Sequence, residues 1–469
     1  MSEIIAAIAT GMTQAGIGII RISGEGSIGI ADQVFVSPSG KKLRDVKTHT
    51  IHYGHIVWQE EVFDEVLVSV MHGPHTFTGE ETVEINCHGG LYILKKILDL
   101  LCSIGARLAE PGEFSKRAFL NGKKDLSESE AIMDVIGAGS DAALRNSMKM
   151  LQGGLYEGIK NLREEILFEI AFIESALDDP EHISLDGYQE KLSEKVARLQ
   201  SKIKMLIDSY KRGSLQREGI GTVLLGRPNA GKSSILNVLA RKDRAIVTDI
   251  PGTTRDTLEE TILLGNLSLR LYDTAGLRET EDTVEKIGVD KALETAKEAD
   301  LILYVIDGGE ALTTDFEEML PTLSEKNCIV LVNKFDLESK VTAEEIREKL
   351  PTAKVLSVCA SKEKWEALNA SLQEFSWVKE LEDLITDLFF KEGASMNDEI
   401  LITNLRHKRE LEEAKQALSQ VQNSIEMDMP EDFLSIDLMA AYSHLGFIIG
   451  EEVDDDLVDE IFSKFCMGK

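Results

Sequence analysis

Between Gly226 and Asp336 the chain carries four short clusters whose residue types and spacing suit the handling of a nucleoside triphosphate. The first, Gly226-Arg-Pro-Asn-Ala-Gly-Lys-Ser233, has the form G-x-x-x-x-G-K-S/T. It stands between the apolar run Thr222-Val-Leu-Leu and the helical run that begins Ser233-Ser-Ile-Leu, the context such a loop requires. Its glycines, including Gly231, let successive N–H groups turn toward a phosphate. Lys232 neutralises charge on the β- and γ-phosphates, and Ser233 offers a hydroxyl to Mg2+. Asn229, Ala230 and Ser234 belong to the same nucleotide-contacting turn. Asp273-Thr-Ala-Gly276 follows the strand-like run Ser268–Tyr272, which puts Asp273 near the metal and the Gly276 amide near the γ-phosphate, with Thr274 and Ala275 between. Asn333-Lys-Phe-Asp336 follows Cys328–Val332 and brings Asn333, Lys334 and a carboxylate to the base. The Asp336 carboxylate can accept both the N1 and N2 hydrogens of guanine. Adenine, with an acceptor at N1, is refused, so GTP is specified over ATP. Gly252-Thr-Thr-Arg-Asp256 lies between the first two clusters, where Thr254 can reach the same Mg2+. One such motif can arise as an incidental glycine-rich turn; four in this order describe a guanine-nucleotide site.

The hydrolytic residue is less plain. Leu277 follows Asp273-Thr-Ala-Gly276, where small signalling GTPases carry a glutamine that orients water, and leucine has no group for that task. Two residues are candidates to supply the missing function. Asn229 could coordinate a cation beside the phosphates, and Glu285 is an acid in the polar stretch Arg278–Gly288. Either side chain could equally be an ordinary polar loop residue.

The elements that must position these groups show three textures. Residues 1–120 alternate short β-rich runs, such as Gly16–Gly24 and Thr82–Gly90, with turns and one helical stretch, Leu91–Gly105. Residues 121–216 carry apolar positions at three- and four-residue spacing, broken at Asp178-Asp179-Pro180, as in bundle helices. From 217 to 378 apolar strands (Thr222–Gly226, Ser268–Asp273, Leu301–Asp307, Cys328–Lys334, Lys354–Val358) alternate with helices, the pattern of a doubly wound, mostly parallel sheet. Residues 379–469 return to helical spacing. The fold class expected is multidomain α+β, all-α and α/β: an N-terminal α+β domain, and a helical domain split in sequence by an inserted Ras-like P-loop G domain. Insertion is tolerated because domain termini lie close together at the surface.

Composition narrows the partners. With 82 acidic and 51 basic residues the formal net charge is −31, which excludes a broad basic surface for coating nucleic acid. A specific RNA substrate would need a local basic patch, or a partner that carries most phosphate contacts. The N-terminus shows no secretory leader pattern, and no apolar run approaches the length of a membrane span. Cys87, Cys102, Cys328, Cys359 and Cys466 stand singly, without a C-x-x-C pair, as in a reducing cytoplasm; Cys466, near the end, is a possible reactive thiol.

End to end the chain resembles the MnmE (TrmE) family of tRNA-modifying GTPases. The resemblance is carried by Gly16-Ile-Gly-Ile-Ile-Arg-Ile-Ser-Gly24, by Thr78-Gly-Glu80 and His88-Gly-Gly90, and by the run Pro111-Gly-Glu-Phe-Ser to Asn121. It continues through Gly252–Asp256 to the terminal Cys466-Met-Gly-Lys469. The resemblance implies a potassium-stimulated GTPase whose G domains meet across a homodimer. Asn229 would be a K+ ligand with Thr248, Ile250 and Thr253, of which Thr248 and Thr253 also count among the GTP contacts. Glu285 would be the catalytic glutamate. It implies a formyl- or methylene-tetrahydrofolate held by the N-terminal domain at Arg21, Glu84, Lys123 and Lys469, and a dimerisation role for that domain. It implies, finally, an FAD-dependent partner, MnmG, and modification of the wobble uridine of tRNA at C5. The fifth guanine-contacting element departs from the usual Ser-Ala-Lys. In Ser357-Val-Cys359-Ala360-Ser361-Lys362 either Cys359-Ala360 or Ser361-Lys362 fits it. Two rival readings use the same motifs: a ribosome-assembly GTPase acting as an RNA-binding switch, and a folate aminomethyltransferase with a regulatory G domain.

Overall fold

The computed structural model describes residues 3–242, 260–272, 294–335, 339–361, 376–390, 400–453, 455–465 and 468. They fall into two compact units. One draws on residues 1–133, 150–193 and 416–469, the other on 134–149 and 194–415.

In the first unit, period-two patterning builds a mostly antiparallel sheet. Its strands are β1 (Ile5–Ile8), β2 (Gly18–Ser23), β3 (Phe35–Val36), β4 (Thr50–Trp58), β5 (Glu61–Met71), β6 (Thr82–Cys87) and β7 (Arg107–Leu108), in the order β3-β4-β5-β6-β2-β1-β7. Ile20 and Ile22, Val66, Val68 and Val70, and Val83 and Ile85 point to one buried face. Helices α1 (Ser27–Val34) and α2 (Leu91–Ser103) belong to the same core. The second brings Leu94, Ile97, Leu98 and Leu101, an i, i+3, i+4, i+7 stripe. The alternate residues of these strands face the other way. Register places Arg21 opposite Glu84, Glu84 opposite Ser69 and Ser69 opposite Ile51, and on that face Ile51, Tyr53 and Leu67 are exposed.

The same unit contains α3 (Glu113–Leu120) and the start of α4 (Leu126–Ile136). After α5 (Asp141–Leu151), whose residues 141–149 belong to the second unit, the chain returns to it as α6 (Gly154–Asp178). Helix α7 (Tyr188–Glu218) and, further on, α12 (Leu405–Glu426) divide between the units; α13 (Glu431–Ile449) and α14 (Asp455–Ser463) close the first. Arg163 of α6 lies 3.9 Å from the Tyr442 ring centroid of α13 and pairs with Glu451 and Glu452, so its buried guanidinium is neutralised on two sides. Helix α13 is long and apolar enough to cross a membrane by length and composition, but it packs along α6 with Leu434, Leu438, Ala441, Leu445 and Ile448 buried. On α14, Phe462 joins Phe465, Leu126 and Val458 in a small cluster beside Phe119.

The second unit holds a sheet buried on both faces, as the continuous apolar runs require. Strands β8 (Ile220–Gly226), β9 (Glu260–Leu264), β10 (Leu267–Leu271), β11 (Leu301–Asp307), β12 (Asn327–Asn333) and β13 (Lys354–Ser357) lie in the order β13-β12-β11-β8-β10-β9. All pairs are parallel except β9 with β10. One core cluster joins α8 (Lys232–Lys242) with residues of α11 (Ser376–Phe390), among them Ile235, Leu239, Leu381 and Ile385. The other joins α9 (Thr314–Glu325) and α10 (Ala343–Lys349) through Phe316, Leu323 and Ile346. Cys87 and Cys328 are buried, and burial pushes their thiols up to about 11 and about 12, away from reactivity.

Candidate functional site

The loop Gly226–Ser233 runs from the C-terminal end of β8 into the first turn of α8. Two of its glycines are sterically required. Gly226 sits at φ +139 with its Cα against the Val305 carbonyl of β11, and Gly231 at φ +97 against the Asn333 amide. Asn229 also lies in the left-handed region, at φ +63, a conformation asparagine tolerates better than most residues. Lys232 folds over the loop and donates from Nζ to the carbonyls of Gly226 (2.6 Å) and Arg227 (2.8 Å); burial lowers its pKa. Ala230 is buried, while Ser233 and Ser234 are exposed on the first turn of the helix. The outcome is a backbone cradle with no room for a Cβ at Gly226 or Gly231 and with an ammonium folded over it. A polyphosphate chain fits that chemistry.

Asn333, 3% exposed, ties the base-recognition cluster to this cradle. Its Nδ2 donates to the Ala230 carbonyl (2.9 Å), and its Oδ1 accepts the Ala360 N–H (3.4 Å). Ala360, in the first of the two segments that fit the fifth element, thus meets Asn333, while Lys362 of the second lies outside the described residues. Lys334 stands at φ +62 and donates from Nζ to Asp307 Oδ2 (2.6 Å). Thr248, Ile250, Thr253, Thr254, Asp273, Thr274, Ala275, Gly276, Glu285 and Asp336 lie outside the described residues, and so do Cys466 and Lys469. Of the K+ and Mg2+ ligand sets, Asn229 and Ser233 are the members within them.

In the first unit, Arg21 and Glu84 face each other across β2 and β6. Arg21 Nε and Nη2 reach Glu84 Oε1 at 2.9 and 2.8 Å, and Nη1 donates to the Gly468 carbonyl (3.3 Å). The guanidinium lies 5.7 and 5.6 Å from the ring centroids of Phe77 and Phe114. Gly468 is pressed against Ile8 and Ala9, at the end of the first strand, which holds it beside Arg21. The Lys123 stem lies along Gly79, in the Thr78-Gly-Glu80 turn. The guanidinium thus has two aromatic rings beside it, of which Phe114 is fully buried.

Sequence reasoning missed the frame around this pair. Ser23 Oγ meets Thr78 Oγ1 (2.8 Å) and donates to Glu80 Oε2 (2.9 Å); Glu80 accepts from Arg117 (3.1 Å), and Arg117 donates to Glu113 (2.9 Å). Arg107 binds the same Glu113 through both terminal nitrogens, at 2.6 and 3.1 Å. Nothing in the spacing of these residues pairs them; only the turn Thr78–Glu80 and the Pro111–Asn121 run mark the region. Burial works to raise the Glu113 pKa, but the Arg107 hydrogen bonds, the Glu110 N–H and Arg117 together override it and lower it. A lowered folded value means stability that is present above the ordinary carboxyl value and lost as pH falls through the folded one. Glu113→Gln is therefore expected to lower stability at neutral pH and to flatten its loss below about pH 4, read from urea midpoints between neutral and acid pH.

A doubly wound sheet whose strand β8 passes through this cradle into a helix, with Asn333 locked to the cradle, defines a P-loop nucleotide-binding protein of the GTPase class. Comparison with known proteins carries this further. Residues 4–123 match the model of the GTP-binding protein TrmE N-terminus, and residues 126–466 match that of the MnmE helical domain. The tRNA modification GTPase MnmE of Lachnoclostridium phytofermentans is 51% identical over the full length of both chains; that of Bacillus subtilis is 43% identical, again over all of both. Among solved structures, Era from Aquifex aeolicus bound to GDP·AlF4− matches 42% of this chain and 67% of its own at 25% identity, with a TM-score of 0.25. The chain belongs to the MnmE family of tRNA modification GTPases, and it is a GTP-hydrolysing enzyme.

Proposed function

We propose that the protein, with the FAD-dependent MnmG, adds an aminomethyl or carboxymethylaminomethyl group to C5 of the wobble uridine (U34) of certain tRNAs. A tetrahydrofolate derivative would supply the carbon, and the GTP/GDP cycle would drive a conformational step. The observation that carries the reading is the Arg21–Glu84 pair, with Phe77 and Phe114 beside the guanidinium and the Gly468 carbonyl accepting from it. In it Glu84 would accept from the amino-pyrimidinone edge of a pterin, while Arg21, Lys123 and Lys469 would hold the anionic tail. The exposed apolar row Ile51, Tyr53 and Leu67, on the same face of the sheet, supports a homodimer formed through the N-terminal domain. We take residues 1–120 as that folate-binding and dimerisation domain, 121–216 and 379–469 as one helical domain, and 217–378 as the inserted G domain, all acting in the cytoplasm.

In the G domain Lys232, Asn333 and Asp336 would bind GTP, Ser233 and Thr254 would hold Mg2+, and Glu285 would orient water. Asn229, Thr248, Ile250 and Thr253 would hold K+. A fixed monovalent cation beside the phosphates can stabilise developing charge as an arginine finger does elsewhere. GTP turnover is accordingly expected to be at least about tenfold faster in KCl than in NaCl at equal ionic strength. Equal rates in steady-state phosphate release would remove the K+ assignment from Asn229.

The function itself is tested by mass spectrometry of tRNA nucleosides from cells with and without the gene. Loss of the C5-modified wobble uridine, restored by the wild-type protein and not by Glu285→Ala, is the expected result. An unchanged nucleoside profile with altered ribosome profiles would replace this reading with that of a ribosome-assembly GTPase.

A further inference from the structure

Asp307 ends β11 and belongs to none of the four nucleotide clusters. Its register partner on β12 is Asn333. The two strand ends are stitched beyond that pair, for the Gly308 N–H donates to the Asn333 carbonyl (2.8 Å) and the Lys340 N–H to the Gly308 carbonyl (2.7 Å). The Asp307 carboxylate is divided between two donors. Oδ1 accepts the Gly309 N–H (2.9 Å), which fixes the turn, and Oδ2 accepts the Lys334 ammonium (2.6 Å). The carboxylate side chain is 16% exposed and its lysine partner 38%, so the pair is shielded on the acidic side and open to a ligand on the basic side.

Lys334 needs such a hold. Its backbone is left-handed, at φ +62, which costs a residue bearing a Cβ about 1–2 kcal/mol. Strained residues persist where their surroundings over-determine them. The backbone alone leaves Lys334 with a long, mobile side chain; the ion pair to Asp307 is what removes that freedom and keeps the ammonium beside the cradle instead of in solvent.

We propose that Asp307 is a positioning residue for guanine-nucleotide binding: through its carboxylate it holds Lys334 in the conformation that receives the nucleotide. This rests on the reading of Asn333 and Lys334 as nucleotide-contacting residues. Asp307 touches no nucleotide itself, and its effect passes entirely through its partner. It therefore disappears when the partner is removed.

The test is a double-mutant cycle on the full-length protein, read as the dissociation constant of fluorescently labelled GDP, with thermal melting recorded alongside. Lys334→Ala and Asp307→Ala are each expected to weaken GDP binding about tenfold, and the double variant no more than about twofold beyond Lys334→Ala. Asp307→Asn keeps an acceptor for the Gly309 N–H while removing the charge. It is expected to lose at least about threefold in affinity with an unchanged melting temperature, and it serves as the readout if the alanine variant does not fold. GDP affinity within twofold of wild type in Asp307→Ala or Asp307→Asn overturns the proposal, as does an equal loss with and without Lys334. If Lys334→Ala itself binds GDP as wild type does, the assignment of the base-recognition cluster fails instead.

Discussion

Replacing Lys232 with alanine is expected to lower GTP turnover at least about a hundredfold, with melting of the protein little changed. The two results separate because of where the side chain sits. Its ammonium is half-buried over the cradle, with the Gly226 and Arg227 carbonyls at 2.6 and 2.8 Å, and burial already lowers its pKa. Removing it spares the fold the cost of that partly desolvated charge, and the carbonyls it leaves are open enough to take water. The nucleotide has no such substitute. As the bond to the γ-phosphoryl breaks, negative charge moves onto the β-phosphate leaving group, and a fixed cation at that point is worth about 3 kcal/mol or more to the transition state. The anion also favours the protonated lysine, so bound nucleotide opposes the downward shift that burial imposes. Single-turnover hydrolysis at saturating GTP, together with GDP affinity, tells binding from chemistry. Turnover within tenfold of wild type would mean that the phosphates are neutralised by another group.

What could be read before the structure was known depended on how far apart in sequence the determinants lie. Strands Leu301–Asp307 and Asn327–Asn333 were legible nearly to the residue, because both faces are buried and the apolar run is continuous between turns. The helices Leu405–Glu426 and Glu431–Ile449 were likewise plain from their spacing. Strand Ile5–Ile8 was not, for four apolar residues with two alanines carry no period that separates strand from helix. Strand Glu260–Leu264 was missed as an edge strand, paired antiparallel to β10 alone. The helical stretch before Asp178 proved to be three helices, parted around Gly137–Gly139 and at Gly153.

The site divides the same way. The cradle is a local motif, so Gly226, Gly231 and Lys232 announce themselves. Arg21 and Glu84 are 63 residues apart and meet only through the register of β2 with β6; family resemblance could name them, whereas spacing could not. Phe77, Phe114, Arg117 and Asp307 act through tertiary contacts, and no local pattern sets them apart from ordinary core or surface residues.

Gly231 offers the sharpest test of how the cradle and the base-recognition cluster depend on each other. Its φ of +97 is strained for any residue with a Cβ, and the added carbon would fall on Asn333 Nδ2, the atom that donates to the Ala230 carbonyl. Gly231→Ala therefore strikes two links together. Backbone strain costs about 1–2 kcal/mol. Displacing the Asn333 amide costs about 1 kcal/mol more for the broken hydrogen bond, and it leaves buried polar atoms to find new partners. Both costs fall on the conformation that binds nucleotide, so GDP affinity is expected to drop about a hundredfold by isothermal titration. Asn333→Ala removes the bond without the clash and is expected to cost about tenfold. If the glycine matters because of Asn333, the two losses do not add: with the amide gone there is nothing for the new Cβ to strike, and the double variant is expected to bind no more weakly than Gly231→Ala alone. A double variant weaker by the product of the two losses would show that glycine is required only by the phosphates, with Asn333 acting on the base by a separate route.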